Sequence, residues 1–556
     1  MSGESSSSAS GVHSGTTDQP FDLLVVGGGI NGCGIARDAA GRGRSVLLVE
    51  QDDLASATSQ WSSKLIHGGL RYLEYYEFRL VAESLAEREV LLRAAPHLIE
   101  PLQFVIPHEP HQRPRWMIRA GLYLYDFLGG KKTVPSSKSL VLQGSAQGAG
   151  LKAAYTNGFS YYDARADDAR LTILNARGAA DLGAVIAPYT RFVSAAVDPA
   201  LAHGVWRITL QDAATQTPST CHARAIVNAA GPWVMRVLGG IKGVQPSAER
   251  VRHVKGSHIV VPRVHAGEHA YLLQNRDQRI VFVIPFHEQF TLIGTTDIAV
   301  EAWDQPAISN AEIDYLCAIA SEYLAQPLTP ADVLWSYSGV RPLYDDGRAN
   351  ASAITRDYVL KLDTSAGAPL LNVFGGKLTT YRKLAEHALD QLAPHFSGPH
   401  LPAGAARMTG AWTASWPLPG GDFSGGLAAL EAELHQAYPF VPPPHLHGIA
   451  KRHGTLARSW LDGADALEDL GEHFGAGLYA AEVDHMAATE WAGGAMDKTG
   501  KTGKTDNSGS ATNAGSATDA GNPGNNADGV LMRRSKCGLF MTPQQKARVA
   551  AYLHQP

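Results

Sequence analysis

Three glycines, Gly27, Gly29 and Gly32, stand at G-x-G-x-x-G spacing directly after the apolar run Leu23 to Val26. Residues of this kind, so spaced, bind phosphate. The first glycine permits a tight turn, the second lets the backbone approach a pyrophosphate, and the third lets a helix pack close to a strand. The free N–H groups and positive dipole end of the following helix then favour an anion. A second apolar run, Val46 to Val49, closes on Glu50, about 20 residues beyond the turn, where an acid binds the ribose hydroxyls of an adenosine half and disfavours a 2′-phosphate. Together these describe a dinucleotide site, with FAD and NAD both open at this point. Directly after Glu50 the chain is rich in Ser, Thr and Gly and carries Lys64, His67 and Arg71. It reads as a loop lying along an anionic ligand rather than a core element.

The elements that must hold these residues can be read from the same chain. A strand over Leu23–Val26 and a helix from Ile30 to about Gly41 form the first unit, and Val46–Val49 is the next strand. Helical patterns follow over Glu77–Ala95, stopped by Pro96, and over about Pro114–Leu128. The second carries Trp116, Tyr123 and Phe127 between Arg113, Arg115, Lys131 and Lys132. It suits either an interfacial membrane patch or a core helix with solvated ends. A strand over Ala225–Asn228 runs into Ala229-Ala230-Gly231-Pro232, a second small-residue strand end beside a cofactor, which favours FAD over NAD. Ser257–Val261, Arg279–Pro285 and Phe290–Gly294 predict an antiparallel sheet covering the substrate. The strand Leu370–Phe374 then leads into Gly375-Gly376-Lys377-Leu378-Thr379 and a helix to about Leu392, repeating the logic of strand, glycines and helix N-terminus. Aimed at a flavin, that helix end would stabilise negative charge on the reduced ring.

At 556 residues the chain exceeds one compact core, so two or three domains are expected. A net charge of −5 supplies no domain-wide basic excess to drive nucleic-acid binding. Cys33, Cys221, Cys317 and Cys537 form no C-x-x-C pair, which predicts neither zinc site nor disulfide framework, no metal, and a reducing, cytoplasmic setting. Residues 1–19 read as a disordered leader and 494–529, rich in Gly, Ser, Asn and Thr, as a disordered insertion.

The motifs Gly27-Gly28-Gly29-Ile30-Asn31-Gly32, Ser62-Ser63-Lys64-Leu65-Ile66-His67-Gly68-Gly69-Leu70-Arg71-Tyr72, Lys255-Gly256-Ser257-His258, Gly339-Val340-Arg341-Pro342, Ile354-Thr355-Arg356-Asp357-Tyr358 and Phe374-Gly375-Gly376-Lys377-Leu378-Thr379-Thr380-Tyr381-Arg382 closely resemble those of bacterial respiratory FAD-dependent sn-glycerol-3-phosphate dehydrogenases, in the D-amino-acid-oxidase-like flavoprotein group. The resemblance implies an α/β fold: a Rossmann-like FAD-binding domain, an antiparallel β-sheet substrate domain and an α-helical C-terminal domain. The FAD-binding part then spans 20–400, interleaved with a substrate part at roughly 75–180 and 235–345, and the helical domain spans 401–556. It further implies oxidation of sn-glycerol 3-phosphate to dihydroxyacetone phosphate, quinone as acceptor, and a homodimer peripheral on the cytoplasmic face of the inner membrane. FAD contacts would fall to Gly27 through Gly32, Glu50, Thr58, Ser62, Ser63, Lys64, His67, Gly68, Ala230, Gly231, Gly376, Lys377, Leu378 and Thr379.

Substrate contacts by the same resemblance are Arg71, Tyr72, His258, Arg341, Arg356 and Lys377, with His258, Arg341 and Lys377 in the reaction itself. A small dianion calls for several held cations and no competing carboxylate; guanidinium forks suit its phosphate and Lys377 a point contact. Loss of hydride from C2 to flavin N5 requires a base for the hydroxyl proton, His258 first and His67 second, because imidazole titrates near working pH. An oxidase passing electrons to O2, and a non-catalytic flavin scaffold, are the competing readings.

Overall fold

A computed structural model describes residues 19–109, 112–201, 204–245, 250–275, 277, 279–345, 357–396, 410–493 and 526–554. Residues 1–18 and 494–525, which make up most of the expected leader and insertion, and Arg356 all lie outside the described residues.

The first layer is a sheet in the order β17-β18-β10-β1-β2-β7. Its strands β1 (Phe21–Val26), β2 (Val46–Val49), β7 (Val185–Ala187), β10 (Pro218–Asn228) and β18 (Leu370–Phe374) pair in parallel. Antiparallel strands β17 (Val359–Asp363), β8 (Thr190–Val197) and β9 (Trp206–Asp212) extend it. Strands buried on both faces read as continuous apolar runs, and all six residues of β1 are buried. Helices α1 (Ile30–Gly41), α4 (Asp168–Asp181) and α7 (Tyr381–Leu392) supply one covering face, in which Cys33, Ile35, Ile173 and Leu384 pack with β1 and β2.

A second, ten-stranded sheet follows the order β15-β11-β14-β13-β12-β4-β6-β3, with β16 on β11 and β5 on β6. These are β3 (Leu65–Ile66), β4 (Ile99–Pro107), β5 (Lys138–Val141), β6 (Asn157–Ala166), β11 (Val251–Pro262), β12 (Ala270–Gln274), β13 (Ile280–Phe286), β14 (Phe290–Gly294), β15 (Ile298–Ala299) and β16 (Trp335–Tyr344). The expected antiparallel sheet is thus mixed: β12 meets β4 in parallel, because the two halves of the sheet come from chain segments separated by the whole β7–β10 excursion. Helices α2 (Phe78–Ala94), α3 (Arg115–Leu128) and α6 (Asn310–Tyr323) cover it, while the short α5 (Val234–Gly239) follows β10. The 75–180 stretch divides at Ala166: its strands join this sheet, whereas α4 packs on α1 in the first layer.

The C-terminal part holds α8 (Leu427–Ala437), α9 (Pro443–His453), α10 (Arg458–Leu461), α11 (Ala480–Glu490), α12 (Asn526–Asp528) and α13 (Pro543–Leu553). A π-helix over Gly529–Arg534 continues α12. Residues 526–529 are therefore helical, not part of a disordered insertion: Ala527 and Gly529 are buried, and Val530 and Leu531 join an apolar cluster with Phe474 and Met486. Among the described residues, no helix is long and apolar enough to cross a membrane.

Burial pushes His97 down to about 3 and His265 and His269 down to about 4. The unfolded chain, titrating near 6.5, binds protons that the folded chain refuses as pH falls below that value, so stability is lost by about 2 kcal/mol per histidine at pH 5. Glu50, pushed up to about 7 by burial, and the raised Asp38, Asp52, Glu87 and Asp163 work in the opposite sense, but His287 and His485, held down to about 3 and about 4, add to the loss. The thermal midpoint is expected to fall between pH 7 and pH 5. A calorimetric midpoint that stays level or rises would contradict this.

Candidate active site

The turn after β1 is built as its glycines require. Gly27 has φ +114°, and a Cβ there would sit 2.5 Å from the carbonyl oxygen of Ala229, at the end of the adjacent β10. A Cβ on Gly32 would lie 1.9 Å from the Gly27 carbonyl oxygen. Gly28 N–H donates to Glu50 Oε2 at 2.6 Å, and Asp52 N–H donates to Oε1 at 3.0 Å. The acid at the end of β2 is thus anchored beside the turn. Asn31 Nδ2 donates to the Gly375 carbonyl at 3.2 Å, which joins the first glycine turn to the second, while its buried Oδ1 accepts no hydrogen bond among the described residues. Space where side chains cannot stand, helix N–H groups and this unsatisfied oxygen together fit a dinucleotide.

The loop after Glu50 runs between the two sheets. Thr58 Oγ1 donates to the Val340 carbonyl on β16 at 2.7 Å. Ser62 donates through both N–H and Oγ to Asp168. Lys64 departs from the expectation of a cation facing an anionic ligand: its buried ammonium pairs with Asp168 Oδ1 at 2.8 Å and donates to the Gln60 carbonyl at 2.9 Å. That ion pair neutralises it and ties the loop to the start of α4. His67 N–H donates to Thr379 Oγ1 at 3.2 Å, and Gly68 N–H to Asp163 at 3.4 Å.

On the second sheet, His258 is 1% exposed and stacks on Tyr337, with ring centroids 4.8 Å apart. Tyr337 donates to the Ser62 carbonyl at 2.7 Å. His258 Nε2 lies 2.9 Å from Ser63 Oγ, while its Nδ1 is buried without a hydrogen-bond partner among the described residues. Burial first, then the charges of Arg341 and Lys64, hold the imidazole well below its usual range, so it is neutral near pH 7. Gly294 faces the ring, where any Cβ would fall 2.2 Å from it.

Arg341, one strand over on β16, does not stand in a field clear of carboxylates. Its Nη1 pairs with Asp297, and its Nη2 donates to Thr295 Oγ1 at 3.1 Å. A guanidinium left half-buried among strand ends draws the nearest carboxylate when the loop after β14 can supply one. Beneath this pair, Glu312 accepts from Lys255, Ser257 and Thr296. Although burial opposes it, Lys255 and the hydroxyls pull Glu312 down to about 2.

Lys377 Nζ lies 4.0 Å over the Tyr72 ring, and Arg71, half-buried on a short 3-10 helix, donates to Tyr75 Oη at 3.5 Å. The turn that carries Lys377 approaches the end of β16: the Cβ position of Gly375 is 3.7 Å from the Pro342 carbonyl oxygen. Ser63, His258 and Arg341 thus form one cluster, and Tyr72 with Lys377 a second, at the same seam between the sheets. Ala230 and Gly231 follow the end of β10, and Gly376 and Leu378 follow the end of β18. Residues not expected from sequence are Ser59, whose Oγ accepts from Ile30 N–H at 2.9 Å at the start of α1, and Asp297. The signals were a hydroxyl in the loop after the fingerprint and an acid directly after a strand of the substrate-side sheet.

A glycine turn backed by an acid, opening on a seam that carries a neutral histidine and held cations, defines a flavin-dependent oxidoreductase. Residues 22–382 match the family described as FAD dependent oxidoreductase. The chain is 48% identical to a glycerol-3-phosphate dehydrogenase of Pseudomonas aeruginosa, over 96% of this chain and 95% of that one. It is 49% identical to the D-erythritol 1-phosphate dehydrogenase of Brucella abortus, over 86% and 92%. The crystal structure of the glycerol-3-phosphate dehydrogenase from Bacillus halodurans complexed with FAD superposes with a TM-score of 0.64 at 25% identity, covering 97% of this chain and 94% of that one. The chain belongs to the FAD-dependent oxidoreductases, within their bacterial glycerol-3-phosphate dehydrogenase branch, and its cofactor is FAD.

Proposed function

We propose that the protein oxidises sn-glycerol 3-phosphate to dihydroxyacetone phosphate and passes the electrons to a quinone at a membrane surface, as a homodimer. The observation that carries the reading is the juxtaposition of a buried, neutral His258, its Nδ1 without a hydrogen-bond partner among the described residues, with the guanidinium of Arg341, in a chain similar to a protein named glycerol-3-phosphate dehydrogenase. Bound FAD supplies the hydride acceptor. The protein supplies position and charge. Arg341 offers its fork to the phosphate, exchanging Asp297 for a dianion. Lys377 adds a point charge beside Tyr72. In the tautomer whose Nε2–H donates to Ser63, Nδ1 takes the C2 hydroxyl proton, and depression of its pKa keeps the whole population competent near pH 7. By resemblance to the family, Arg71 and Arg356 are further substrate contacts.

Anaerobic addition of glycerol 3-phosphate to the yellow holoenzyme should bleach it, and a quinone analogue should restore the colour. A flavin that stays yellow sinks the proposal, and abundant peroxide in air would point to an oxidase. Similarity to D-erythritol 1-phosphate dehydrogenase favours a second reading, a four-carbon polyol phosphate. The ratio of kcat/KM for the two substrates decides between them.

We assign the membrane contact to α3, which packs on the second sheet through Leu122 and Tyr125, its two buried residues, and leaves its other face outward. Trp116 is 70% exposed, Phe127 63% and Tyr123 59%, and the neighbouring Tyr76 is 80% exposed. Arg113, Arg115 and Lys131 lie exposed around this face, the pattern of a helix seated at an anionic lipid surface. Replacing Trp116 and Phe127 together by Glu should lower cosedimentation with vesicles of anionic phospholipid by about tenfold, while turnover with a soluble dye is retained. Unchanged cosedimentation would remove α3 from the contact.

A further inference from the structure

The segment Glu50 to Ala55 folds back over the glycine turn. Ala55 N–H donates to the Gly28 carbonyl at 3.1 Å, and the fully buried Leu54 packs against Gly28 itself. On one side Glu50 accepts from Gly28 N–H, and backbone bonds tie the segment to the turn after β7, with Thr190 N–H donating to the Glu50 carbonyl at 2.7 Å and Tyr189 N–H to the Asp52 carbonyl at 3.0 Å. On the other side it is gripped by a distant part of the chain. Asp53, 3% exposed, receives Arg534 in a fork, Nη1 to Oδ2 at 2.7 Å and Nη2 to Oδ1 at 2.9 Å, and also Arg533 Nε at 2.8 Å. The π-helix that carries both arginines begins at Gly529, whose missing side chain makes room for the carboxylate: a Cβ there would stand 3.0 Å from Asp53 Oδ2. Arg534, 0% exposed, also donates to the Gly529 and Glu490 carbonyls, and Glu490 in turn pairs with Arg170 on α4. A guanidinium buried this deeply, with its donors aimed at two carbonyls and one carboxylate, holds a single geometry.

We propose that Arg534, with Arg533, is a positioning residue for the cofactor: by clamping Asp53 the C-terminal domain sets the Glu50–Ala55 turn over Gly28 and so determines how tightly FAD is retained. The proposal rests on the assignment of Glu50 to the adenosine ribose. It makes the helical domain part of the cofactor site, although none of its residues belongs to the glycine turn.

The test uses full-length protein stripped of flavin, with the FAD dissociation constant read by fluorescence titration and the apoprotein melting temperature measured beside it. Arg534→Met should raise the dissociation constant by about tenfold or more, a loss on the scale of one charge-assisted hydrogen-bond pair, while turnover per bound flavin stays within about twofold. Arg534→Lys should recover part of the affinity. Asp53→Asn should weaken retention similarly, and the double variant should be no worse than the poorer single one. Should Arg534→Met fail to fold, Arg533→Met and Asp53→Asn decide by the same readout. A dissociation constant within about twofold of the parent, with only the apoprotein melting temperature lowered, overturns the proposal. Glu50→Gln separates the two readings: if it weakens FAD and the clamp variants do not, the clamp is wrong; if Glu50→Gln has no effect, the assignment beneath it is wrong.

Discussion

Replacing Arg341 by alanine lowers kcat/KM for glycerol 3-phosphate by about two to three orders of magnitude and leaves the flavin content of the purified protein at the parent level. Breaking a buried charge pair by removing one partner costs about 3 to 5 kcal/mol, and the Arg341 side chain is 28% exposed, which places the effect at the lower end. Two losses combine. The phosphate forfeits its fork, and Asp297, no longer neutralised, is left as a carboxylate facing an incoming dianion. Arg341→Lys recovers only part of the rate, since a point charge cannot hold Asp297, Thr295 and a phosphate in one plane. Arg341→Ala together with Asp297→Asn should recover more, because the repulsion goes with the carboxylate. Steady-state kinetics and the ratio of 450 to 280 nm absorbance measure both quantities. Loss of flavin in step with activity would move Arg341 from substrate to scaffold.

Gly32→Ala abolishes the holoenzyme: the purified protein carries about a tenth of the parent flavin or less. The added carbon would stand 1.9 Å from the Gly27 carbonyl oxygen, a backbone atom that cannot swing aside as a side chain could. Helix α1 must lift from β1, and its first N–H groups leave the place where they converge on a pyrophosphate. The parallel strands are held by Leu24, Val26 and Ile226 in a separate cluster on the other face, so the far-ultraviolet circular dichroism should change little. Gly121→Ala is the matched control: it lies on α3 with nothing within 4 Å of its Cβ position, and flavin binding should survive it. A flavin-replete Gly32→Ala protein would refute this account of the turn.

Much of this could be read along the chain, and the division follows from the range of the interactions. The glycine turn with its helix, second strand and closing acid came out close to its observed limits, with the first strand read two residues short at its start, because every part of it is local: positive φ, strand hydrophobicity and helix start lie within thirty residues. The same holds for Gly375-Gly376 after β18. Pairing between charged side chains does not announce itself in this way. Lys64 and Asp168 are 104 residues apart, Arg341 and Asp297 are 44, and Arg534 and Asp53 are 481. An isolated lysine or arginine reads as a cation waiting for an anion, whichever partner the fold later brings to it.

By itself the sequence determined the glycine turn with its strand, helix and closing acid, because steric demands at such a turn admit few residues, and its motifs carried the resemblance to the family to which the chain belongs. Only the tertiary structure decided which cations are already paired with carboxylates, which face of α3 is left exposed, and that Arg533 and Arg534 meet Asp53. Charges act through space over a few ångströms, and it is the packing of two sheets and a helical domain that makes residues hundreds of positions apart into neighbours.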